Sequence, residues 1–521
     1  MFKKVSVILM SLLFTLSVTA CGNGGGSTST NTVASSNKLT IAINADMGTL
    51  DPGVSMDNLS WKITYPAYER LLELKGSTTD LKPGLAEKWK VSTDGLVYTF
   101  TLSKGHKFSD GTEVNAAAVK FTFDRILAIA KGPADTYGVI KQIKVIDANT
   151  VEFDLKNAFP PFLSTLTTNY GGIVNPKVMQ HEKSADKAQD YLSNHTAGSG
   201  TYQLKDWKKG DYIELTLNPN VTVNPVIKEV YFKFVADASA ARLQLEKNDI
   251  DIAEGIPIEQ LNEMKDKVNL VKKPSLFVDY VYLNSTKGNV ALKNTKVRQA
   301  INYAVDYKSI ISKVMMGYAT PMVGPIPAGL WGHDSTLKQY TYDKEKAKSL
   351  LKESGVKNIQ LDLLYSDRFP NWEQEALVMQ SNLADIGIKL NLNKVAYATM
   401  RDEIDAGKFD LSMGVWSPDY ADPFMFMNYW FDSKNAGLSG DRAFYVNKDV
   451  DVLLRKAASI GDKTERTKIY IDVQKTVIED APYIYLYQKD FVLPISKNVK
   501  GNVYNPMLEG IYNFSQMSKV N

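Results

Sequence analysis

The chain contains a single cysteine, Cys21, among its 521 residues, so no disulfide can form within it. The fold must therefore be stabilised by its hydrophobic core rather than by covalent cross-links. A chain of this length exceeds what one compact core supports, and two or three domains are expected. Apolar residues make up 44% of the chain and charged residues 23%, proportions that are ordinary for a folded protein.

The position of that cysteine predicts how the chain is processed. Residues 1–20 have the form of a secretory signal, in which Lys3 and Lys4 precede a short apolar stretch. Val18-Thr19-Ala20-Cys21 then matches the bacterial lipobox, in which small residues run into a lipidated cysteine. We therefore expect cleavage before Cys21 and an extracytoplasmic lipoprotein that is anchored to the cell membrane through this residue. The alternative is an ordinary signal peptide with a chance cysteine at the cleavage position.

The composition of the remaining chain excludes some classes of partner. Residues 21–37 are rich in Gly, Ser, Thr and Asn, which is typical of a flexible tether, and ordered structure should begin near Lys38. No later segment has eighteen consecutive apolar residues, so no further membrane span is predicted. The net charge is +3, or +1 without Lys3 and Lys4, and this balance argues against nucleic acid as a partner.

Hydrophobic periodicity indicates a strand-rich first half. Residues 39–43 alternate as a strand, and residues 88–102 read as a hairpin that turns at Asp94-Gly95. A helix is expected over 116–127. Further strands are expected over 212–217 and 229–235.

The second half alternates helices with strands, which favours an α/β arrangement. A first helix is predicted from Val297, Ala300, Ile301 and Ala304, with Gly317 capping its end. A second helix is predicted over 344–354, with Asp343 as its N-cap and Gly355 after its last turn. A third helix is predicted over 374–383, and it is followed by a strand over 388–392. A last strand is predicted from the alternation of Tyr483, Tyr485 and Tyr487.

No catalytic constellation stands out in the sequence. There is no Gly-x-Ser-x-Gly segment, no phosphate-binding loop, and no second histidine after His181-Glu182 at zincin spacing. The four histidines are dispersed, and although His181 and His195 could approach each other, a structural role is favoured over a metal site. We therefore expect no enzymatic activity, no metal and no cofactor.

Several short motifs, each weak alone, occur in an order that resembles one family. These motifs are Leu85-Ala86-Glu87-Lys88-Trp89, Asp94 to Leu102, Lys107 to Gly111, Gly198 to Tyr202, Val297 to Ile301, Ala304-Val305-Asp306 and Gly414 to Pro423. The chain is similar from Lys38 onward to the extracellular solute-binding proteins, family 5, of peptide-type ABC importers, the oligopeptide- and dipeptide-binding lipoproteins. It departs from the family at Val221-Thr222, where a Tyr-Trp pair is usual, and at Asn248, where glycine is common.

The resemblance implies an α/β fold with two lobes, of the periplasmic-binding-protein-like class II type, with a hinge between the lobes and an extra inserted subdomain. Lobe I would comprise residues 38–70, 196–284 and 489–521, the inserted subdomain residues 71–195, and lobe II residues 285–488. Strand crossovers near Asn284 and Lys489 would then serve as hinges for closure on a ligand.

The resemblance also implies a function. A monomer of this family captures peptides outside the cytoplasm and delivers them to an ABC permease that is powered by cytoplasmic ATPases. Two related interpretations stay open, namely a receptor for a signalling peptide and a binding protein for a non-peptide cargo such as an oligosaccharide, an opine or a chelated metal. A lipid-anchored hydrolase is a rival from another class, which the missing catalytic motifs disfavour.

The resemblance places the ligand's amino group at Asp419, which matches the family aspartate that forms this salt bridge. The residues support this independently, because the strand expected over 409–415 leads into a proline-bounded loop, a common position for binding residues. Trp416 and Tyr420 would exclude water and so strengthen a charge-assisted bond. Asp422, before Pro423, is expected to cap a turn.

The carboxylate end of the ligand is assigned with less support from the residues. Family members place a basic residue in the region of Arg368, and Met413 stands where some oligopeptide binders carry arginine. The resemblance therefore implies that Arg368 binds the peptide carboxylate. The alternative is an ordinary surface arginine. Three tyrosines, Tyr137, Tyr397 and Tyr485, are further candidates for lining the cleft.

Overall fold

The computed structural model describes residues 35–438 and 440–520. The predicted signal, the lipobox at Cys21 and nearly all of the tether lie outside these residues. From Ser35 onward the chain forms one compact unit. Within the described ranges, no helix is both long enough and apolar enough to cross a membrane.

The strands are β1 (Ser35–Ser36), β2 (Lys38–Ile43), β3 (Leu72–Leu74), β4 (Leu81–Pro83), β5 (Ala86–Val91), β6 (Val97–Leu102), β7 (Ile140–Asp147), β8 (Thr150–Leu155), β9 (Tyr202–Lys208), β10 (Tyr212–Leu217), β11 (Glu229–Phe234), β12 (Ile252–Ala253), β13 (Asn269–Leu283), β14 (Ala319–Thr320), β15 (Gln360–Tyr365), β16 (Lys389–Lys394), β17 (Leu411–Trp416), β18 (Tyr483–Ile495), β19 (Val499–Lys500) and β20 (Ser518–Val520).

The α-helices are α1 (Asn58–Ala67), α2 (Ala116–Ile129), α3 (Pro133–Tyr137), α4 (Phe162–Thr165), α5 (Gln189–Leu192), α6 (Ala238–Glu246), α7 (Ile258–Met264), α8 (Thr295–Ala304), α9 (Tyr307–Ser309), α10 (Lys344–Ser354), α11 (Trp372–Ala384), α12 (Tyr397–Ala406), α13 (Phe424–Phe431), α14 (Lys448–Ala457) and α15 (Lys463–Asp480). Short 3-10 segments occur at Asn169–Gly171, Pro176–His181, Val290–Lys293, Ser433–Asn435 and Phe514–Gln516, and a π turn at Ile310–Val314.

One large mixed sheet organises the described chain. Its strands run in the order β16-β15-β17-β13-β18-β12-β2-β11-β10-β9, and β14 pairs with β18 beside this path. The long strands β13 and β18 are antiparallel partners at the centre, so strands from the second half lie on one side of them and strands from the first half lie mainly on the other. This alternation of helices with a mixed sheet confirms the expected α/β class.

The pairing of β13 with β18 is interrupted near its middle. Pro274 pairs with Asp490 and Val278 pairs with Gln488, so residues 275–277 have no ladder partner. Side chains replace the missing ladder bonds there, since the Ser275 hydroxyl donates to the Lys489 carbonyl at 2.8 Å. A second irregularity leaves Leu486 unpaired, which turns Tyr487 to the opposite face of the sheet from Tyr483 and Tyr485.

A separate antiparallel sheet, in the order β5-β6-β8-β7, lies within the predicted inserted subdomain. The Asp94-Gly95 hairpin prediction is confirmed, since β5 and β6 pair directly and Gly95 has a φ of +69°. Tyr98, Phe100 and Leu102 on β6 are buried against α2 and form part of a core of their own. The helix predicted over 116–127 corresponds to α2, which extends two residues further at its C-terminal end.

Most of the other sequence expectations are also confirmed. Helix α10 has the predicted bounds, with the Asp343 carboxylate accepting from the Lys346 amide at 2.8 Å and Gly355 at a φ of +69°. Asn248 adopts the left-handed conformation with a φ of +62°. The prediction for Gly317 is wrong, because α8 ends at Ala304 and Gly317 instead follows the π turn.

Candidate functional site

The predicted binding loop leaves the sheet at the end of β17 and enters α13. Gly414 on β17 packs so closely that a Cβ there would lie 2.5 Å from the Tyr280 ring and 2.7 Å from Tyr282, so only glycine fits without movement. The Tyr280 hydroxyl donates to the Val415 carbonyl at 3.2 Å. These contacts fix the end of β17 on β13, and they thereby fix the start of the loop that begins at Trp416.

Asp419 is a half-buried carboxylate with no partner. It forms no hydrogen bond and no ion pair to any described residue, although its environment is largely closed to water. Burial raises the pKa of Asp419 to about 6. A desolvated and unpaired carboxylate is energetically costly, and a cationic group that entered the site would offset that cost.

Four side chains, one of them from the loop itself, lie around the loop that carries Asp419. The Trp416 ring lies 5.7 Å from the Tyr429 ring, and the guanidinium carbon of Arg442 lies 5.6 Å from the Trp416 ring. The buried indole N–H of Trp416 has no acceptor among the described residues. Tyr170, from the predicted inserted subdomain, also lies near Asp419, because burial first and then the charge of Asp419 raise the pKa of this tyrosine. The surroundings therefore combine aromatic surface with unused polar atoms.

Tyr420 is a buried residue that packs against the predicted inserted subdomain. It is 5% exposed, and its ring contacts Phe159 of the predicted inserted subdomain at 6.4 Å between ring centroids. Phe159 also contacts the Phe424 ring at 5.5 Å, and the Ser164 hydroxyl donates to the Ala421 carbonyl at 3.4 Å. Tyr420 thus packs against the opposite part of the chain beside Asp419, and its contact with a ligand stays a prediction.

Asp422 is a structural residue. Its carboxylate accepts from the amide of Phe424 across the turn that precedes α13, which agrees with the turn-capping role expected from the sequence. It also forms a bidentate ion pair with Arg466, with distances of 2.7 and 2.8 Å, and both side chains are nearly inaccessible. The pair anchors the end of the loop to α15.

Arg368 and Tyr397 lie together at another position. The guanidinium carbon of Arg368 lies 4.3 Å from the centre of the Tyr397 ring, and the arginine is exposed. Arg368 has no carboxylate partner among the described residues. The structure therefore brings together these two candidates, and their contact with a ligand stays a prediction.

Tyr137 and Tyr485 are both buried. Tyr137 has no exposed surface, and its hydroxyl donates to the Thr165 carbonyl at 3.0 Å inside the core around β6 and α2. Tyr485 is 8% exposed, and its ring stacks on Tyr483 at 6.0 Å. In this conformation neither side chain offers surface to a ligand, and the prediction that they line the cleft is untested.

A buried acidic pair lies near the interruption of β13. Asp279 accepts from the Trp372 indole N–H at 3.1 Å, and Glu375 accepts from the Tyr487 hydroxyl at 2.6 Å. Burial raises the pKa of Asp279 to about 6, and burial together with the nearby charge of Asp279 raises the pKa of Glu375 to about 8. Glu375 on α11 carries no sequence signal of burial, because it follows Glu373 in a polar first turn.

Among the described residues, no group of three or more His, Cys, Asp or Glu side chains is arranged so that it could hold a metal ion. His181 and His195 both stack on the Tyr191 ring, with centroid distances of 3.9 and 4.2 Å, so the tyrosine lies between the two histidines. Sequence reasoning also missed Arg442, which lies in a loop between α13 and α14 and matches no motif.

The fold and the loop around Asp419 define a two-lobed α/β binding protein. Residues 80–437 match the family model of the bacterial extracellular solute-binding proteins, family 5. The chain belongs to this family, whose members are solute-binding proteins.

Individual relatives cover nearly the whole chain. The probable D,D-dipeptide-binding periplasmic protein of Escherichia coli K12 is 46% identical over 92% of this chain and 94% of that protein. Heme-binding protein A of Haemophilus influenzae is 31% identical over 84% of each chain. The solved structure of the periplasmic binding protein DppA from Helicobacter pylori, in complex with the peptide STSA, superposes with a TM-score of 0.75 at 27% identity. It covers 93% of this chain and 98% of that one.

Proposed function

We propose that this protein captures short peptides with a free amino terminus outside the cytoplasm and delivers them to an ABC import permease. The observation that carries the proposal is the half-buried Asp419 carboxylate, which has no partner among the described residues. A protonated α-amino group is a compact cation with several N–H donors, and it would supply the missing charge-assisted bonds. The names of two relatives, which refer to a D,D-dipeptide and to a bound peptide, support a peptide cargo.

The first experiment removes only the charge of Asp419. In Asp419→Asn, free-amine dipeptides should bind more weakly by about 2–5 kcal/mol, the usual cost of truncating one partner of a buried charge pair. Calorimetry with L-alanyl-L-alanine, its D,D form and the N-acetylated form of each would measure this. Asp472→Asn is the matched control, because Asp472 is an exposed residue on α15 whose loss changes the net charge equally. Equal affinity of the wild type for free and acetylated dipeptides would reject the amine site.

The hinge belongs to the same proposal. The pairing of β13 with β18 joins the two sides of the sheet, and residues 275–277 with the facing Lys489 form the longer of its two interruptions. We place the hinge at this interruption. Of the two hinge crossovers predicted from the sequence, the one near Lys489 is kept, and the one near Asn284 is moved to residues 275–277. The predicted lobe boundaries stay predictions.

The membrane anchor is proposed from the lipobox alone. Cys21 would carry the lipid, and the composition of residues 21–37 would give the globular part a flexible tether. Cys21→Ala should abolish incorporation of labelled fatty acid and release the protein from the membrane fraction. Cys21→Ala protein that still carries label would show that the lipobox interpretation is wrong.

A further inference from the structure

Phe159 belongs to the predicted inserted subdomain, yet its ring contacts the segment that carries Asp419. The ring lies edge-on to Tyr420, at 6.4 Å between centroids and an interplanar angle of 83°, and edge-on to Phe424, at 5.5 Å and 89°. Edge-to-face packing is favourable for aromatic pairs, because the positive edge of one ring meets the negative face of the other. Tyr420 directly follows Asp419 and Phe424 begins α13, so one side chain of the subdomain contacts both ends of this segment.

The backbone of Phe159 is held by its own part of the chain. Its carbonyl accepts from the Phe162 amide at 2.9 Å and from the Tyr98 hydroxyl at 3.4 Å. Pro160 and Pro161 follow, and each fixes its own φ and restricts the residue before it. Phe162 is fully buried in the core around β6 and α2. The Phe159 ring is therefore presented by a rigid segment, which loses little conformational entropy when the ring packs.

Phe159 also joins two hydrophobic cores. It is half-buried, and it packs both against the core around β6 and α2 and against the large core of the second half of the chain. Leu81 on β4 does the same. Leu74, the ladder partner of Leu81 on β3, is itself buried in the second core. The predicted inserted subdomain thus contributes apolar side chains to the opposite part of the chain at two places.

The polar contacts along this boundary are weaker. The Ser164 hydroxyl donates to the Ala421 carbonyl at 3.4 Å, which is long for a hydrogen bond between oxygens. Asp80 and Lys463 form an ion pair at 3.6 Å, and their side chains are 62% and 57% exposed. An exposed pair of this kind contributes little to stability. Apolar packing is therefore the stronger attraction at this boundary.

The loop that carries Asp419 is fixed at both ends by bonds within the second half of the chain. These bonds hold Val415 before the loop and Asp422 at its end. Phe159 contacts Tyr420 between these two points, beside Asp419. The contact therefore acts on the part of the loop that carries the candidate binding residue.

Bending at the proposed hinge would break these apolar contacts. The Phe159 ring, and the surface of Tyr420 that it covers, would then enter water at a free-energy cost that is proportional to the exposed apolar area. The contacts therefore favour the closed arrangement, in which the subdomain lies on the loop. They belong to the chain itself, so they stabilise that arrangement whatever molecule Asp419 binds.

We propose that Phe159 is an apolar latch, a residue that positions the predicted inserted subdomain on the Asp419 loop and so retains a bound ligand. It acts through Tyr420 and Phe424 and does not need to touch the ligand. Because a ligand leaves when the two parts of the chain separate, the latch should lower the rate of release. The latch goes beyond the proposed function, and its ligand readout alone rests on the dipeptide assignment.

The first measurement is the release of radiolabelled dipeptide, with whichever of L-alanyl-L-alanine and its D,D form binds wild type more tightly. Phe159→Ala should release it about tenfold faster than wild type, which is equivalent to about 1.4 kcal/mol lost from the closed arrangement. The association rate should not fall, because the ligand enters the open arrangement. Phe159→Leu keeps an apolar side chain and should recover part of the retention. Leu127→Ala is the matched control, since Leu127 on α2 is half-buried and packs against the core around β6 and α2.

The second measurement is X-ray scattering without dipeptide, which tests the latch independently of the identity of the ligand. Phe159→Ala should have a larger radius of gyration than wild type and Leu127→Ala. Saturating dipeptide should bring all three proteins to the same value, because the bound ligand then stabilises the closed arrangement in each.

Every other outcome decides against one of the two proposals. Unchanged release from Phe159→Ala overturns the latch. Faster release with an unchanged radius of gyration overturns it as well, because the ring would then act on the ligand directly. Equally fast release from Leu127→Ala would assign the effect to the stability of the subdomain and would also overturn it. Wild type that binds neither dipeptide overturns the proposed function, and the scattering comparison alone then decides the latch.

Discussion

At the scale of single residues, two aspartates of one loop have opposite electrostatic environments. Asp422 is neutralised by the bidentate ion pair with Arg466, whereas Asp419 has lost water without gaining a partner. The first arrangement stabilises the loop, and the second leaves a charge that a ligand can complete. The sequence already predicts different roles for the two residues, and the structure shows the physical cause for Asp422, because α15 places Arg466 beside its carboxylate.

The environment of Asp419 predicts that peptide binding depends on pH. Because its pKa is about 6 in the free protein, the carboxylate becomes neutral as the pH falls through this value. The ligand's α-amino group stays protonated below about pH 7.7, so of the two groups in the proposed bond only Asp419 titrates in this range. Affinity should therefore be about tenfold weaker at pH 5 than at pH 7, as simple competition with protons requires.

Calorimetry of wild type and Asp419→Asn across pH 5–7 would measure this dependence. The variant should bind weakly and equally at both values, because an amide does not titrate. The nearby tyrosines Tyr170 and Tyr429 stay protonated throughout, since burial raises the pKa of each. A wild-type affinity that is constant over this range would contradict the assignment of the amine site to Asp419.

At the scale of elements, the interrupted pairing of β13 with β18 lies beside the buried pair of Asp279 and Glu375. Asp279 is on β13, and Glu375 on α11 accepts from Tyr487 of β18, so the pair links three elements next to the proposed hinge. Both carboxyl groups are nearly or fully inaccessible. When the pair holds a proton, only one of the two carboxyl groups is charged. The charge repulsion between Asp279 and Glu375, which would act between β13 and α11, is then absent.

This pair predicts how stability changes with pH. The pKa of Glu375 is about 8 in the folded protein and about 4.3 in an unfolded chain, so the folded state binds more protons between these values. The free energy of unfolding should therefore fall as the pH rises through 8. The loss between pH 6 and pH 9 should be at least ~1.4 kcal/mol, the equivalent of one pKa unit.

Urea unfolding of wild type and Glu375→Gln at pH 6 and 9 would check this expectation. The glutamine keeps the shape and the acceptor for Tyr487 but cannot ionise, so its stability should change less with pH. Glu373→Gln is the matched control, because Glu373 lies on the same helix with its side chain 54% exposed and pairs only with Lys394. Equal pH dependence in wild type and Glu375→Gln would show that the pair does not control stability.

At the scale of the whole molecule, the two sides of the large sheet are joined through β13 and β18, and they also meet through side chains. Phe159 and Ser164 contact the binding loop at Tyr420 and Ala421, so the described conformation has the predicted inserted subdomain against the second half of the chain. Bending at residues 275–277 and Lys489 would separate these contacts without breaking the rest of the ladder.

Ligand binding should therefore make the protein more compact. Because Asp419 and Tyr170 come from opposite parts of the chain, a ligand held between them stabilises the closed arrangement. X-ray scattering with and without the alanyl dipeptide should show a smaller radius of gyration in the bound state. The control is the scattering of Asp419→Asn with the same dipeptide at the same concentration. An unchanged radius of gyration in wild type that is fully occupied by the dipeptide would contradict closure.

Local sequence patterns determined much of this protein. The Asp94-Gly95 hairpin, the capped helix α10 and the left-handed Asn248 follow from turn chemistry and periodicity, which act within a few residues. Gly317 shows the limit of such patterns, because a glycine predicts a helix end only if the helix reaches it. The order of the motifs was sufficient to identify the family and to select Asp419 as the candidate residue for binding the ligand's amino group.

Only the tertiary structure decided the electrostatics of the site. No sequence pattern predicted the ion pair of Asp422 with Arg466, which lies 44 residues further along the chain. The fold pairs Arg466 with Asp422 and leaves Asp419 without a partner among the described residues. Charge pairing depends on distance and burial between residues that are far apart along the chain, and the packing of α13, α15 and β13 sets both.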